Sequence, residues 1–128
     1  MNLLVDTHVA LWALVDSPRL SAEARRWLTD ERCTLHVSAA SLWEIAIKHA
    51  LGRGDMPVSA EQALVQFRAS GLRLLPVQPE HAVAVSGLPP IHADPFDRLL
   101  VAQALTEPMR LLTHDALIAH YSDTVILI

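Results

Sequence analysis

Short apolar runs recur along the chain, and longer segments with the spacing of helices separate them. The first run, Asn2–Val5, stops at Asp6 and is typical of a fully buried strand in a parallel sheet. Four later runs are interpreted as strands of the same sheet. The predicted strands are Asn2–Val5, Leu35–Val37, Leu72–Val77, Arg110–Thr113 and Val125–Ile128.

Turn and capping residues mark the helical segments between these runs. Ser59 and Gln62 have the spacing of a capping box, Pro18 follows the end of the first helix, and Gly71 stops the fourth. The predicted helices are Thr7–Val15, a second capped by Ser21, a third from Ser38 or Ser41 to about Ala50, a fourth from Ser59 to about Ser70, Pro79–Ser86, an apolar helix opened by Asp94 that includes Arg98–Leu105, and a turn at Ala116–His120. Strands that alternate with helices predict an α/β fold with a parallel sheet between helical layers, and residues 1–128 are expected to form one domain.

Composition narrows the class of protein. Apolar residues make up 52% of the chain and the mean hydropathy is +0.29, which excludes a disordered protein. No apolar run approaches the roughly 18 residues of a membrane-spanning helix, and no signal peptide is visible. We therefore expect a cytoplasmic protein without a membrane partner. The lone Cys33 excludes a disulfide framework and a multi-cysteine metal site.

Four acidic residues map to the same predicted end of the sheet. Asp6 and Asp115 follow strands, whereas Glu44 and Asp97 lie in the opening turns of helices. Ligands of open parallel sheets bind outside the carboxyl ends of the strands. Two carboxylates about 5 Å apart repel by roughly 3 kcal/mol at an effective dielectric of about 20, so a converging set needs a cation. Without cysteines or paired histidines, the set favours Mg²⁺ or Mn²⁺, and phosphoryl hydrolysis is the natural chemistry.

Helix capping offers a plainer explanation for most of these acids. Asp94, Pro95 and Asp97 have the pattern of an N-cap, a first-turn proline and a first-turn acid. Asp6 and Asp115 are open to the same capping interpretation. Glu44 resists it, because the residue lies in an apolar helix where an unpaired carboxylate is unfavourable.

Four sequence blocks occur in an order and spacing that are more specific than any block alone. They are Leu4-Val5-Asp6-Thr7-His8 with Leu11-Trp12, Ser38-x-x-Ser41-x-Trp43-Glu44-Ile45 with Lys48 and Gly52, His92-x-Asp94-Pro95-Phe96-Asp97-Arg98 continuing to Ala104, and Leu112-Thr113-His114-Asp115. Across almost its whole length the chain resembles the PIN-domain nucleases, and more closely the VapC-like toxins of bacterial type II toxin–antitoxin pairs.

The resemblance implies a three-layer α/β/α sandwich and a Mg²⁺- or Mn²⁺-dependent endoribonuclease that hydrolyses RNA. Asp6 and Asp97 would be the principal metal ligands, and Glu44 and Asp115 would complete the catalytic set directly or through water. Asp94 would be a helix cap or a group that supports the metal ligands, and Thr7 and Ser41 resemble hydrogen-bonding neighbours of the carboxylates. The resemblance further implies a homodimer and a small antitoxin whose tail occupies the acidic groove.

The remaining polar and aromatic residues have weaker functional signals than the acids. None of the seven histidines forms an HExxH motif or another tight ligand pair, which disfavours zinc. Packing or surface roles are favoured over substrate contact for His92 and His114. Core packing is favoured over RNA stacking for all three tryptophans. The positive groups nearest the acids are either phosphate-binding or simply solvated: Lys48, Arg53 and Arg98.

Two other functions remain open at this stage. An aspartyl-nucleophile phosphatase is disfavoured, because it needs a second aspartate two residues after the first and His8 stands there. A PIN-like module that binds RNA or protein without cleavage is the alternative from another class.

The net charge of −4 argues at first against nucleic-acid binding, which normally uses a basic face. Without the four candidate carboxylates, however, ten acidic side chains balance ten basic ones. The acidic excess is therefore interpreted as one acidic metal site rather than as a generally acidic surface. RNA attraction would then depend on metal and on local basic residues, and RNA binding should be weak without metal.

Overall fold

A computed structural model describes all 128 residues, Met1–Ile128, and places five parallel strands in one sheet. The strands are β1 (Asn2–Val5), β2 (Thr34–Ser38), β3 (Arg73–Leu75), β4 (Arg110–Thr113) and β5 (Val125–Leu127). Their order across the sheet is β3-β2-β1-β4-β5, and every neighbouring pair is parallel. The predicted parallel sheet is confirmed.

Seven α-helices and one short 3₁₀ turn connect the strands. They are α1 (Thr7–Leu14), α2 (Ala22–Thr29), α3 (Ala39–Ala50), α4 (Ala60–Ala69), α5 (Pro79–Ala84), the turn Val85–Gly87, α6 (Pro95–Thr106) and α7 (Ala116–Ala119). The capping box at Ser59 is present, with Ser59 and Gln62 bonding each other's backbone N–H. Each predicted helical segment therefore has its counterpart.

Helices cover both faces of the sheet because successive strand residues point to opposite sides. Leu3 and Val5 of β1 belong to a large apolar cluster with residues of α1 to α4, including Phe67. Leu4 faces the other way, into a smaller cluster with Leu100 of α6. The two clusters confirm the three-layer α/β/α sandwich.

The strand order creates a crevice beside β1. From β1 the chain builds outward through β2 and β3, and it then crosses back to place β4 on the other side of β1. Leu4 is the register partner of His36 on one side and of Leu111 on the other. The backbone N–H of Asp6 extends the pairing by donating to the Leu112 carbonyl at 2.9 Å. Ligand sites of open α/β sheets occur at such switch points.

The structure shifts or decides three of the predicted boundaries. Strand β3 ends at Leu75 rather than at Val77, because Pro76 has no backbone N–H to continue the ladder. Ser38 rather than Ser41 caps α3, with its Oγ accepting from the Ala40 N–H at 3.0 Å. The first helix ends one residue earlier than predicted and exposes Ala13, so it is buried on one side only.

None of the helices is both long enough and apolar enough to cross a bilayer.

Candidate active site and metal centre

Asp6 lies at the centre of the crevice, directly after β1. Its side chain caps α1, with Oδ1 accepting from the His8 N–H at 2.9 Å. The second oxygen, Oδ2, accepts from the Thr113 hydroxyl at 2.6 Å. Asp6 is only 3% exposed, so both bonds stabilise a carboxylate with little access to water.

Thr113 is a site residue that the sequence analysis missed. It is the last residue of β4, the strand beside β1, and its Oγ1 also accepts from the Asp115 N–H at 3.1 Å. One hydroxyl thus links two of the predicted carboxylate positions. Its place at a strand end, two residues before Asp115, was the only available signal.

Asp97 and Asp115 meet at the imidazole of His92. His92 Nε2 lies 2.8 Å from Asp115 Oδ2 and 3.3 Å from Asp97 Oδ2. The Asp94 N–H donates to His92 Nδ1 at 3.0 Å, so Nδ1 is an acceptor and Nε2 carries the proton. His92 therefore donates to Asp115 and lies close to Asp97, a contact with the site that the favoured packing or surface role did not include.

Burial and neighbouring negative charges perturb Asp97. Desolvation, followed by the charges of Asp6, Asp94 and Glu44, raises the pKa of Asp97 to about 7, and His92 opposes the shift. Asp97 is the acidic residue in the first turn of α6, three positions after the cap Asp94. A carboxyl group with a pKa this high is a recognised sign of a functional cluster.

Asp115 experiences the opposite balance. Partial burial would raise its pKa, but hydrogen bonds from the His92 ring and the Leu117 N–H lower it below its ordinary value. The Leu117 bond, at 2.9 Å, makes Asp115 the cap of α7. Asp115 therefore remains ionised under conditions in which Asp97 holds its proton.

Glu44 completes the set from α3, almost entirely out of contact with solvent at 2% exposure. Its Oε2 accepts from Lys48 Nζ, one helical turn further on, at 2.5 Å. Its other oxygen, Oε1, has no hydrogen-bond partner. Glu44 and Asp6 both contribute to the raised pKa of Asp97, so these three acids form one electrostatic group. Asp115 is connected to that group through the His92 ring.

Two further candidates interact with each other. The Thr7 and Ser41 hydroxyls are buried and lie 2.7 Å apart, joining α1 to α3. Asp94 caps α6, accepting from the Phe96 and Asp97 N–H groups at 2.8 and 3.4 Å. The capping explanation is thus correct for Asp94. Asp6, Asp97 and Asp115 also lie at the starts of helices, but their side chains come together at one site.

A groove of about 270 Å³ opens over this cluster. Three of the four carboxylates line one part of it, together with His92. The remaining part is lined by other side chains: His8, Trp12, Arg19, Asp55 and His114. Acidic and aromatic groups therefore share one opening.

Matches to known proteins identify the family of the chain. A model of the PIN domain family matches residues 3–123. The chain belongs to the PIN domain family. It is similar to ribonuclease VapC22 of Mycobacterium tuberculosis (strain ATCC 25618 / H37Rv), with 32% identity over 115 residues that cover 89% of this chain and 87% of the relative.

Solved structures share the fold of this PIN domain. VapBC2 from Rickettsia felis, bound to a DNA fragment from their promoter, matches with a TM-score of 0.70 and 16% identity, over 100% of this chain and 98% of that one. FitAcB from Neisseria gonorrhoeae matches with a TM-score of 0.65 and 17% identity, over 98% and 96% of the two chains. At these identities the likeness concerns the fold alone.

The donor set of this PIN domain fits a hard divalent cation. One potential ligand atom from each of His92, Asp97 and Asp115 lies within 4.8 Å of the others. Glu44 Oε1 is a buried carboxylate oxygen without a partner, and Asp6 adds a further carboxylate. Carboxylate oxygens are the ligands that Mg²⁺ and Mn²⁺ prefer. His92 Nε2 acts as a proton donor here, which leaves the carboxylates as the cation's natural ligands.

The three basic candidates are all engaged within the protein. Lys48 pairs with Glu44, and Arg53 makes two 3.1 Å bonds to the carboxylate of Asp55. Arg98 donates to the Pro89 and Val85 carbonyls and to the Tyr121 hydroxyl, at 3.0 to 3.3 Å. The structure thus gives each a protein partner, and none lines the groove over the carboxylates.

Trp43 differs from the packing predicted for it. Its side chain is 61% exposed, and its ring lies edge-on to Phe96 with centroids 5.3 Å apart. Trp12 and Trp27 do pack against the larger apolar cluster. Glu44 must face inward, and the adjacent position on the same helix consequently turns Trp43 outward.

The raised pKa of Asp97 predicts a pH-dependent stability effect. An aspartate has a pKa of about 3.9 when unfolded, so the folded state holds the extra proton between about pH 4 and 7 and loses stability as pH rises through that window. With EDTA present, Asp97→Asn should raise the melting temperature at pH 8, by about 4 °C for each kcal/mol of repulsion removed. The gain should shrink toward pH 5, as measured by calorimetry.

The matched control is Asp123→Asn, which changes an exposed carboxylate that makes no ion pair. Its melting temperature should differ little from wild type at either pH. A gain for Asp97→Asn that is constant with pH, or a loss at pH 8, would contradict the repulsion argument.

Proposed function

We propose that the protein is a Mg²⁺- or Mn²⁺-dependent endoribonuclease and the toxin of a toxin–antitoxin pair. The convergence of Asp6, Asp97 and Asp115 in one groove, with Glu44 beside them, carries the proposal. Membership of the PIN domain family and similarity to ribonuclease VapC22 support the substrate class. The aspartyl-phosphatase alternative is disfavoured, because His8 stands at the position where that class of enzyme needs a second aspartate.

Asp6 and Asp97 would hold the metal, with Glu44 and Asp115 completing the site. A bound Mg²⁺ or Mn²⁺ supplies charge stabilisation to a phosphodiester and lowers the pKa of water. The chain's own groups prepare the site for that cation. Thr113 orients Asp6, and His92 holds Asp115 and Asp97 toward one another. Lys48 balances one of the buried negative charges.

Cleavage of RNA by the purified protein tests this function. We expect cleavage of end-labelled single-stranded RNA with Mg²⁺ or Mn²⁺, no cleavage with EDTA, and a loss of more than about 100-fold in Asp97→Asn. Asp123→Asn should cleave like wild type. Cleavage that survives both EDTA and Asp97→Asn would exclude the metal mechanism. Metal binding without cleavage would instead favour a non-catalytic RNA- or protein-binding module.

The Thr113 hydroxyl should control metal affinity. Thr113→Val keeps the shape of the side chain but removes the donor to Asp6 and the acceptor for the Asp115 N–H. Loss of such a supporting group typically weakens metal binding about 10- to 100-fold. Mn²⁺ titration by calorimetry should show that loss for Thr113→Val and near wild-type affinity for Thr113→Ser. Equal affinities for the two variants would contradict this role.

We also propose a homodimer and a small antitoxin partner, as the resemblance to VapC-like toxins implies. An exposed apolar groove of about 300 Å³ lies beside the site and supports this proposal. Its lining residues are Trp43, Ala82, Val85, Pro95, Phe96 and Leu99. Large exposed apolar surfaces of this kind often mark protein interfaces.

Copurification tests the antitoxin partner. The product of a short reading frame adjacent to the gene should copurify with the wild-type chain and with Val65→Glu, which changes an exposed apolar residue on α4. Trp43→Glu should lose the partner, because a charge in an apolar groove is poorly solvated when covered. Retention by Trp43→Glu would place the partner elsewhere. Light scattering at twice 14.1 kDa for the chain alone would support the dimer.

A further inference from the structure

The groove over the carboxylates has a second part with different chemistry. Trp12, Arg19 and His114 line it beside Asp6 and Asp115. Among the groove's lining residues, Arg19 is the only arginine or lysine. This matters because RNA brings a negative phosphate toward a cluster of carboxylates, and the neighbouring cations Lys48, Arg53 and Arg98 already bond to the protein.

Arg19 has a free charge on a braced loop. Its guanidinium makes no hydrogen bond or ion pair, whereas its backbone N–H donates to Ser17 Oγ at 3.2 Å. The neighbouring Leu20 is buried in the larger apolar cluster, which anchors the chain at that point. Arg25 further holds the loop by donating to Asp16 and to the Ser17 carbonyl. Arg19 thus presents a cation from a fixed backbone.

A cluster of aromatic rings lines the same groove as Arg19 and the carboxylates. The His114 ring is exposed and lies against Trp12, with centroids 4.5 Å apart and planes tilted by 56°. The His8 ring lies 6.2 Å from His114 and is held by Asp55 at 3.1 Å. His114 makes no side-chain hydrogen bond, although it directly precedes Asp115. An exposed, supported ring beside a carboxylate offers a stacking surface for a base.

We propose that Trp12, Arg19 and His114 bind one nucleotide next to the cleaved phosphodiester. The Arg19 guanidinium binds its phosphate, the His114 ring stacks on its base, and Trp12 supports that ring. The proposal rests on the ribonuclease function and specifies its substrate as single-stranded RNA. Only an unpaired base can leave its neighbours to stack on a protein ring.

Salt dependence of RNA binding separates a phosphate contact from a stacking contact. Anisotropy of a labelled single-stranded RNA is measured in Ca²⁺, an oxygen-ligated cation used in place of the catalytic metals. Each phosphate contact in a single strand contributes about 0.7 to the slope of log affinity against log salt. Arg19→Gln should weaken RNA binding about 10-fold and should reduce the magnitude of the salt slope by about 0.7. Arg19→Lys should keep most of the slope.

The control for charge is Arg68→Gln. Arg68 is an exposed arginine on α4 that does not line the groove and forms no ion pair. Its slope should equal that of wild type. His114→Ala should weaken binding about 5-fold or more without changing the slope, and His114→Phe should restore it by keeping an aromatic face. Wild-type affinity and slope in Arg19→Gln, or equal losses in Ala and Phe at position 114, would overturn the proposal.

Two further outcomes distinguish this proposal from the ribonuclease function. If the wild type cleaves RNA but the Arg19 and His114 variants bind RNA like wild type, the nucleotide site alone is wrong. If the wild type neither binds nor cleaves RNA, both are wrong. Loss of the copurifying partner in Arg19→Gln, with RNA affinity unchanged, would identify the surface as a protein contact instead.

Discussion

Repulsion among carboxylates is the constraint around which this end of the molecule is organised. Parallel strands carry their following residues to one edge of the sheet, and here Asp6 and Asp115 arrive there together with acids from α3 and α6. In a partly buried site such charges interact far more strongly than in water. The neighbouring structure relieves this repulsion with one hydrogen-bond donor for each of three of the four acids. Thr113 donates to Asp6, His92 to Asp115, and Lys48 to Glu44.

Asp97 is the member whose charge is least relieved, and this distinguishes it from the others. Desolvation by burial and then the charges of three acids raise its pKa, while only His92 opposes them. The result is a set in which one carboxyl group holds a proton near neutral pH, although its neighbours are stabilised as anions by hydrogen bonds. The divalent cation that we propose for this site would relieve the same repulsion without a proton. Proton and metal would then compete for one position in the cluster.

Basic residues near the site illustrate how the same constraint limits recognition. Lys48 pairs with the buried Glu44, and Arg53 pairs with the exposed Asp55. Arg98 instead donates to two backbone carbonyls and to the Tyr121 hydroxyl. Arg19 has no such partner: it lies on the loop between α1 and α2, and its side chain lines the groove.

The sequence predicted the sheet and most of the carboxylates because both depend on local pattern. Apolar runs specify buried strands, and the residue after each strand is already assigned to one edge. Thr113 was missed, and the contacts of His92 were not foreseen, because their hydrogen-bond partners are distant in sequence. Thr113 and Asp6 are 107 positions apart, and His92 and Asp115 are 23 positions apart. Lys48 and Glu44, by contrast, are close in sequence, with the i,i+4 spacing of a helical ion pair. The spacing alone did not show that the Lys48 side chain points toward the site. Trp43 was misjudged because an apolar helix does not reveal which of its faces meets the sheet.

The hydrogen bond from Thr113 to Asp6 also has a consequence for biosynthesis. It joins the beginning of the chain to its last quarter, and β1 is flanked on that side only after β4 has been made. A nascent chain that has just folded β1, β2 and β3 contains Asp6 and Glu44 but neither Asp97 nor Asp115. The acid cluster can therefore be complete only in a chain that has been synthesised through Asp115.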